Sequence, residues 1–350
     1  MNIHEKYMLR CIQLGKKGIG TTAPNPMVGC VIVHKDQIIG EGFTSPYGGN
    51  HAEVNAIKSV KDNTLLSKAT LYVSLEPCSH FGKTPPCTDL IIEHKIPEVY
   101  IGLQDPHDKV AGKGIEKLKA SGCNVTIGIL EKDCRAHHKR FLCFQEKKRP
   151  YVVLKWAETQ DGFIAPDAKV RKKTPEPVWI TNTYSKQLVH KWRSEEQAIL
   201  VGTNTVLEDN PKLTVRNWEG KHPIRVVIDK DLKIPSDFHV LDTSVKTIVF
   251  TQITDPSNYL NGIDYELIDF SIPIGKQIFS ALYKHSIISL LIEGGSKTLQ
   301  TFIDEGLWDE ARIFKGPTTF KNGISAPKIS GRLLDTKPIL SDSLSIFEND

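Results

Sequence analysis

At 350 residues the chain is longer than a single hydrophobic core usually grows, so two domains of roughly 150 to 200 residues are expected. With 39% hydrophobic and 25% charged residues it has the composition of a soluble globular protein, and no apolar run approaches the roughly 20 residues that span a bilayer. A net charge of +4 on so long a chain supplies no strong field for nucleic acid, and seven cysteines without a framework of spacings argue for free thiols and metal ligands in a reducing, cytoplasmic setting.

The opening "MNIHEKYMLRCIQLGKKGIG" scatters charges among apolar residues at helical spacing, which predicts an amphipathic helix and not a signal peptide. Strands are expected at "VGCVIVH" (28–34), "QIIGEGF" (37–43), "ATLYVSLE" (69–76) and "EVYIGL" (98–103), with helices over 51–60, 85–95 and 112–121. "QEKKRP" at 145–150 is polar, ends in proline and precedes a new strand, "YVVLKWA", so the boundary falls there and the domains are 1–146 and 147–350. The basic clusters at 147–149 and 169–173 read as solvated loops. In the second half, strands at 198–202, 224–229, 247–250 and 287–293 alternate with helices near 183–195, 276–284 and 296–305, a pattern that predicts a largely parallel sheet flanked by helices. No internal repeat or low-complexity segment is present.

Four residues in the first half carry chemistry. "NHAEVNA" supplies His51 and Glu53, and "LEPCSHFGKTPPCT" supplies Cys78 and Cys87, two thiols separated by eight residues. One His and two Cys make a complete catalytic zinc (Zn2+) set, with the fourth position left for water. Cys87 opens a predicted helix, whose positive end favours the thiolate that metal binding requires. Glu53 does not fit as a fourth ligand if water is to bind, so its natural role is to carry a proton from that water to a departing amine. A lone buried His is more often a core residue and a free Cys more often a small hydrophobe, but the combined pattern outweighs both readings. A structural zinc site would recruit a fourth Cys or His, and none occupies an obvious position.

The pattern of "HAE", "PC" and a second thiol resembles that of the zinc deaminases. Its longer gap, "SHFGKTPP", and the run "APNPMVGCVIV" (23–33) are similar to the deaminase half of the bifunctional riboflavin biosynthesis proteins. "YVVLKWAETQDGFIA" (151–165), "VWITNTYSKQLVHKWRSEEQAILVGTNTVLEDNPKLTVR" (178–216) and the glycine pair in "LLIEGGSKTLQTF" (291–302) resemble that family's reductase half, so the likeness covers most of the chain.

The resemblance implies an α/β protein with an N-terminal cytidine-deaminase-like α/β/α domain and a C-terminal dihydrofolate-reductase-like α/β domain. It implies hydrolytic deamination of a diaminopyrimidinone ribosylamino phosphate, then NADPH-dependent reduction of the ribosyl side chain to ribityl. Asn25, His80 and Lys83 are expected on the deaminase substrate. Ala157, Trp179, Thr205 and Asp209 are expected on the nicotinamide nucleotide, and Gly295, Ser296, Lys297 and Thr298 on its pyrophosphate. The strand, glycine turn and helix order at 291–302 also suits close approach of backbone N–H groups to a phosphate. Arg193, Leu213, Arg216 and Glu293 are expected on the sugar phosphate, the arginines being suited to bidentate phosphate binding.

Lys155 and Asp161 are candidates for assisting ring opening or protonation, although Lys155 also suits an edge strand and Asp161 with Gly162 a turn. Lys230 is a candidate for the 2′-phosphate that distinguishes NADPH from NADH. Two positions depart from the family: Pro177 stands where relatives often carry a serine, and Thr44 where some carry a histidine, so both contacts are left open. The partners expected are the small-molecule substrate and a second copy of the chain, with neither nucleic acid nor membrane. Two alternatives stay in view: a nucleic-acid or nucleoside deaminase with a degenerate second domain, which calls for a basic, aromatic-bearing groove, and a zinc-stabilised binding module, which would not need Glu53. The run 320–350 matches the family least clearly, and whether it completes a sheet or forms an interface is open.

Overall fold

The computed structural model describes residues 1–81, 85–106, 111–167 and 176–349, and divides the chain into two units, Met1–Lys148 and Arg149–Asp350. The first begins with helix α1 (Ile3–Gly15), started by a capping box in which Asn2 accepts from the Glu5 N–H at 2.9 Å and Glu5 accepts from the Asn2 N–H at 2.8 Å. Strand β1 (Gly29–His34) then folds directly back as β2 (Gln37–Phe43). The turn residues Lys35 and Asp36 both take positive φ, 49° and 60°, the handedness that a two-residue hairpin requires.

Strands β3 (Thr70–Val73), β4 (Glu98–Ile101) and β5 (Asn124–Ile127) complete a sheet of order β2-β1-β3-β4-β5. β1 is antiparallel to both neighbours, and the other pairings are parallel. Helices α2 (Ala52–Ser59), α3 (Cys87–Glu93), α4 (Lys113–Ala120), α5 (Glu131–His137) and α6 (Lys139–Lys147) surround it. The core of this unit includes Met8, Cys11, Ile32, Leu71, Val99 and Leu118, each fully buried. Side chains of this size contribute about 1.5–3 kcal/mol apiece when taken from water.

In the second unit, β6 (Tyr151–Glu158), β7 (Phe163–Pro166), β8 (Ala198–Gly202), β9 (Ile224–Ile228), β10 (Thr247–Thr251), β11 (Asp264–Leu267), β12 (Ser289–Ile292), β13 (Glu310–Lys315), β14 (Gly323–Ser325), β15 (Arg332–Ile339) and β16 (Asp342–Glu348) alternate with α7 (Thr183–Glu195), α8 (Thr203–Asp209), α9 (Gly275–Lys284) and α10 (Ser296–Asp304). Nine strands form one sheet in the order β11-β10-β9-β8-β12-β6-β13-β16-β15. Every pairing from β11 to β13 is parallel, and β16 and β15 close that side antiparallel. Of the run 320–350, left open by the sequence, β15 and β16 thus extend the sheet. The central strands are nearly all apolar because helices cover both faces of a parallel sheet, and Leu154, Leu200, Phe250, Ile292 and Phe302 form part of this unit's core. β7 and β14 pair separately as a two-stranded ribbon. Among the described residues no helix is long and apolar enough to cross a membrane.

Candidate active sites

In the first unit, β3 ends at Val73, earlier than its apolar run suggests, because the chain from Ser74 turns into the loop that carries Cys78. Cys87 is the first residue of α3 and His51 is the extended residue that caps α2. These elements bring the His51 Nδ1 atom to 3.5 Å from Cys78 Sγ and 3.3 Å from Cys87 Sγ, and the three donor atoms all lie within 4.8 Å of one another. Tetrahedral zinc with bonds of about 2.0–2.3 Å sets its ligand atoms about 3.5 Å apart, so the donor set fits in both chemistry and spacing.

Cys78 is held from the α3 side: its Sγ accepts from the Cys87 N–H at 3.3 Å, and its carbonyl accepts from the Thr88 N–H at 3.2 Å. Hydrogen bonds from Cys87 and then His51 draw the Cys78 thiol down to about 4, against the opposing effect of burial. The same Cys78 interaction, together with burial, pushes Cys87 up, and the bond to Cys78 raises His51 to about 9. Glu53, in the first turn of α2, is 3% exposed; burial and the nearby Cys78 sulfur push its carboxyl up.

Of the residues expected on the deaminase substrate, Asn25 lies on the loop 21–28, which is tied to the segment leading into His51 by the bonds Tyr47 N–H to Thr21 carbonyl (3.1 Å) and Thr44 N–H to Val28 carbonyl (3.0 Å). The Thr44 hydroxyl, whose role was open, accepts from the Val28 N–H at 3.1 Å and so joins the two segments. His80 is exposed two residues beyond Cys78. Lys83 lies outside the described residues.

Sequence reasoning missed Glu76. Its carboxylate is 4% exposed and accepts four backbone N–H groups: Asp105 (3.1 Å) and Gly112 (3.1 Å) on one oxygen, Gly114 (3.0 Å) and Ile115 (3.2 Å) on the other. It therefore fastens the start of α4 and both ends of the preceding loop to the peptide that leads into Pro77 and Cys78. A Cβ on Gly114 would meet the Pro77 carbonyl at 2.3 Å, so this approach requires glycine. The available signal was a charged residue at the end of an apolar run in "LYVSLEPC", together with the paired glycines of "AGKGI".

In the second unit a cavity of about 540 Å3 opens at the carboxyl ends of β6, β8 and β12, where open α/β sheets bind ligands. Its lining includes Lys155, Ala157, Trp179, Arg193, Thr205, Asp209, Leu213, Arg216, Glu293, Gly295 and Ser296, eleven of the residues expected from the sequence. Four others stand apart from it. Lys297 is exposed, and Thr298 packs beneath Gly202 and Gly294. Lys230 lies 5.8 Å over the Phe270 ring, and Asp161 is occupied in a turn. Pro177 lines the cavity on the side where the family serine was expected.

The polar end of this cavity is an ion cluster. Glu293 accepts from Arg193 Nε at 2.8 Å and Nη2 at 2.9 Å, with Lys155 Nζ 3.4 Å away. Burial works to raise the Glu293 carboxyl, but the Arg193 and Lys155 cations prevail and hold it at about 2. His190, also missed from sequence, lines the same end and accepts the Arg216 N–H at 3.2 Å; burial and then the neighbouring arginines lower it to about 4, so it is neutral. Leu213 is 3% exposed and held at φ 55°, a costly backbone for a branched residue that persists because its loop is fixed on both sides. Arg225 Nε donates to the Lys212 carbonyl at 3.1 Å, and the Val215 N–H reaches His222 Nδ1 at 3.2 Å.

The donor chemistry for a dinucleotide fits in part. Gly294, Gly295 and Ser296 bring backbone to the cavity wall at the start of α10, but the Gly295 N–H already donates to Thr205 Oγ1 at 2.8 Å.

Residues 1–103 match the family model of the cytidine and deoxycytidylate deaminase zinc-binding region, and residues 150–327 match that of the RibD C-terminal domain. The riboflavin biosynthesis protein RibD of Aquifex aeolicus is 37% identical over 336 residues, covering 95% of this chain and 92% of that protein. A solved diaminohydroxyphosphoribosylaminopyrimidine deaminase/5-amino-6-(5-phosphoribosylamino)uracil reductase from Thermotoga maritima is 38% identical, covers 99% of both chains and superposes with a TM-score of 0.89. Acinetobacter baumannii RibD is 31% identical over 99% of both chains, also with a TM-score of 0.89.

Proposed function

The chain belongs to the RibD family of bifunctional deaminase/reductase enzymes in riboflavin biosynthesis, and from this we propose that its two sites act in turn on the two substrates named for the Thermotoga maritima relative. The first unit hydrolyses the amine of a diaminohydroxyphosphoribosylaminopyrimidine to a carbonyl, releasing ammonia. The second reduces the resulting 5-amino-6-(5-phosphoribosylamino)uracil at its ribosyl carbon, with NADPH as reductant. The observation that carries the reading is the convergence of the His51, Cys78 and Cys87 donor atoms within 4.8 Å, with buried Glu53 in the adjoining turn.

His51, Cys78 and Cys87 would hold zinc, which would supply a water reactive at neutral pH. Glu53 takes the proton of the attacking water and returns it to the nitrogen of the departing amine. Burial of Glu53 keeps bulk water from competing for that proton. Asn25, His80 and Lys83 are assigned to the substrate.

NADPH bound in the cavity would supply the hydride of the second step. Ala157, Trp179, Thr205 and Asp209 line the part of the cavity assigned to the nicotinamide nucleotide, with Gly295 and Ser296 beside its pyrophosphate and Lys297 and Thr298 behind them in the same turn. Arg216 and Leu213 hold the sugar phosphate, and Glu293 with Arg193 fixes Lys155, the proton donor to the opened ribosyl group. Lys230 is assigned to the 2′-phosphate; Lys230→Ala should shift the preference between NADPH and NADH, and an unchanged preference removes the assignment. A second copy of the chain remains the expected partner, to be measured by light scattering.

The test is mass spectrometry of the diaminopyrimidine substrate after incubation with zinc-loaded protein. Amine should become carbonyl without cofactor, and two hydrogens should be added only when NADPH is present. Reduction before deamination, or no loss of amine, would overturn the reading.

A further inference from the structure

We propose that Asp161 is a positioning residue that fastens a two-stranded flap over the reductase cavity and is not a proton carrier; this rests on reading that cavity as the reductase site. Asp161 lies in the turn between β6 and β7, outside the residues that line the cavity. Its Oδ1 accepts from Thr159 Oγ1 at 2.6 Å, and its Oδ2 accepts from the Lys321 N–H at 2.7 Å. The Phe320 N–H lies 3.2 Å from both oxygens. The carboxylate is thus directed at the backbone of a segment far away in sequence, and its acceptor positions are taken by that segment and by its own turn.

Further bonds join the same two stretches. The Gln160 N–H donates to the Thr318 carbonyl at 2.8 Å, the Gly316 N–H to the Glu158 carbonyl at 2.9 Å and the Ala326 N–H to the Gly162 carbonyl at 2.9 Å. Between these fastenings, β14 pairs with β7, Ile324 opposite Ala165. This ribbon is separate from the nine-stranded sheet and supplies Ile164, Ala165 and Ile324 to the cavity wall. Ile324 is 50% exposed where it lines the cavity. The Thr159 hydrogen bond, above all, holds the Asp161 carboxyl below the usual aspartate value.

The roles separate by substitution. Asp161→Asn keeps a carbonyl oxygen for the Phe320 and Lys321 N–H groups and offers an amide to the Thr159 hydroxyl, so the flap stays fastened. Asp161→Ala removes the fastening. For Asp161→Asn the reductase kcat should stay within about threefold of the unsubstituted protein with the same pH profile, whereas loss of a general acid would cost about 10²-fold or more. For Asp161→Ala, KM should rise about tenfold, and hydrogen exchange of amides 318–326 should accelerate while the central strands stay protected. A 10²-fold fall in kcat for Asp161→Asn with normal exchange, or unchanged exchange in Asp161→Ala, overturns the proposal. If the unsubstituted protein oxidises no NADPH with the deaminated substrate, the reductase reading fails, and exchange in Asp161→Ala still decides whether Asp161 fastens the flap.

Discussion

Glu293 grips Arg193 by two hydrogen bonds, at 2.8 and 2.9 Å, so the guanidinium meant for a phosphate is already committed to a carboxylate of its own chain. Among the described residues, Arg216 has only Nη1 engaged as a side-chain donor, at 3.1 Å to Thr214 Oγ1, and retains N–H groups for a ligand. The two arginines therefore differ in role although the sequence presents them alike.

Arg216→Gln should raise the reductase KM by about ten- to a hundredfold, the worth of one hydrogen bond to a charged group, with a smaller effect on kcat. Steady-state oxidation of NADPH against deaminated substrate measures both. A change confined to kcat would mean that Arg216 does not hold the substrate.

The Glu293 cluster should appear in acid unfolding. Its carboxyl has a lower pKa folded, about 2, than the ordinary 4.5, so unfolding takes up a proton between these values. The stabilisation is complete above pH 4.5 and is lost as pH falls towards 2. Glu293→Gln should flatten that part of the profile while costing about 3–5 kcal/mol near neutrality, because Arg193 is left buried without its partner. Urea unfolding of the second unit across this pH range is the measurement, and an unaltered acid slope would contradict it.

Glu53→Gln should retain zinc at one ion per chain and lose about 10²–10⁴-fold in deamination, the usual worth of a positioned proton carrier. Metal analysis beside the mass-spectrometric assay separates this outcome from loss of the ion. Reduction of separately supplied deaminated substrate should continue.

Removing zinc with a chelator, or replacing Cys78 or Cys87 by Ser, should abolish deamination and leave that reduction intact. Loss of both activities together would show that the second site depends on the first.

Glu76→Gln sets an amide against two of the four backbone donors that the carboxylate now accepts. Zinc affinity, read by competition with a chromogenic chelator, should fall by about 10–100-fold, as it does when groups that orient metal ligands are altered. An unchanged affinity would confine Glu76 to loop structure.

Much of this architecture is legible in the chain because its buried strands are continuous β-branched runs and its helices begin and end at clear signals. α7 and β8 occupy the predicted residues 183–195 and 198–202. β15 was not predicted as an element: it is an outer, largely exposed strand, as in "RLLDTKPI", with no buried face to impose alternation. The metal donors could be named because zinc accepts few residue types. Glu76, His190 and the commitment of Arg193 could not, since each depends on a partner brought close only by folding. Asp161 shows the limit most clearly, because a turn carboxylate and a proton carrier look the same in "TQDGF".

Gly114 closes against the Pro77 carbonyl with no room for a single added carbon. Glu76, the neighbour of that proline, is bonded to the same glycine across 38 residues of chain. The position of a sulfur ligand is therefore written twice, once in the loop that bears it and once in a helix that never touches the metal. A change at 114 falls in a helix that carries no metal donor, yet it would press on the loop that carries Cys78.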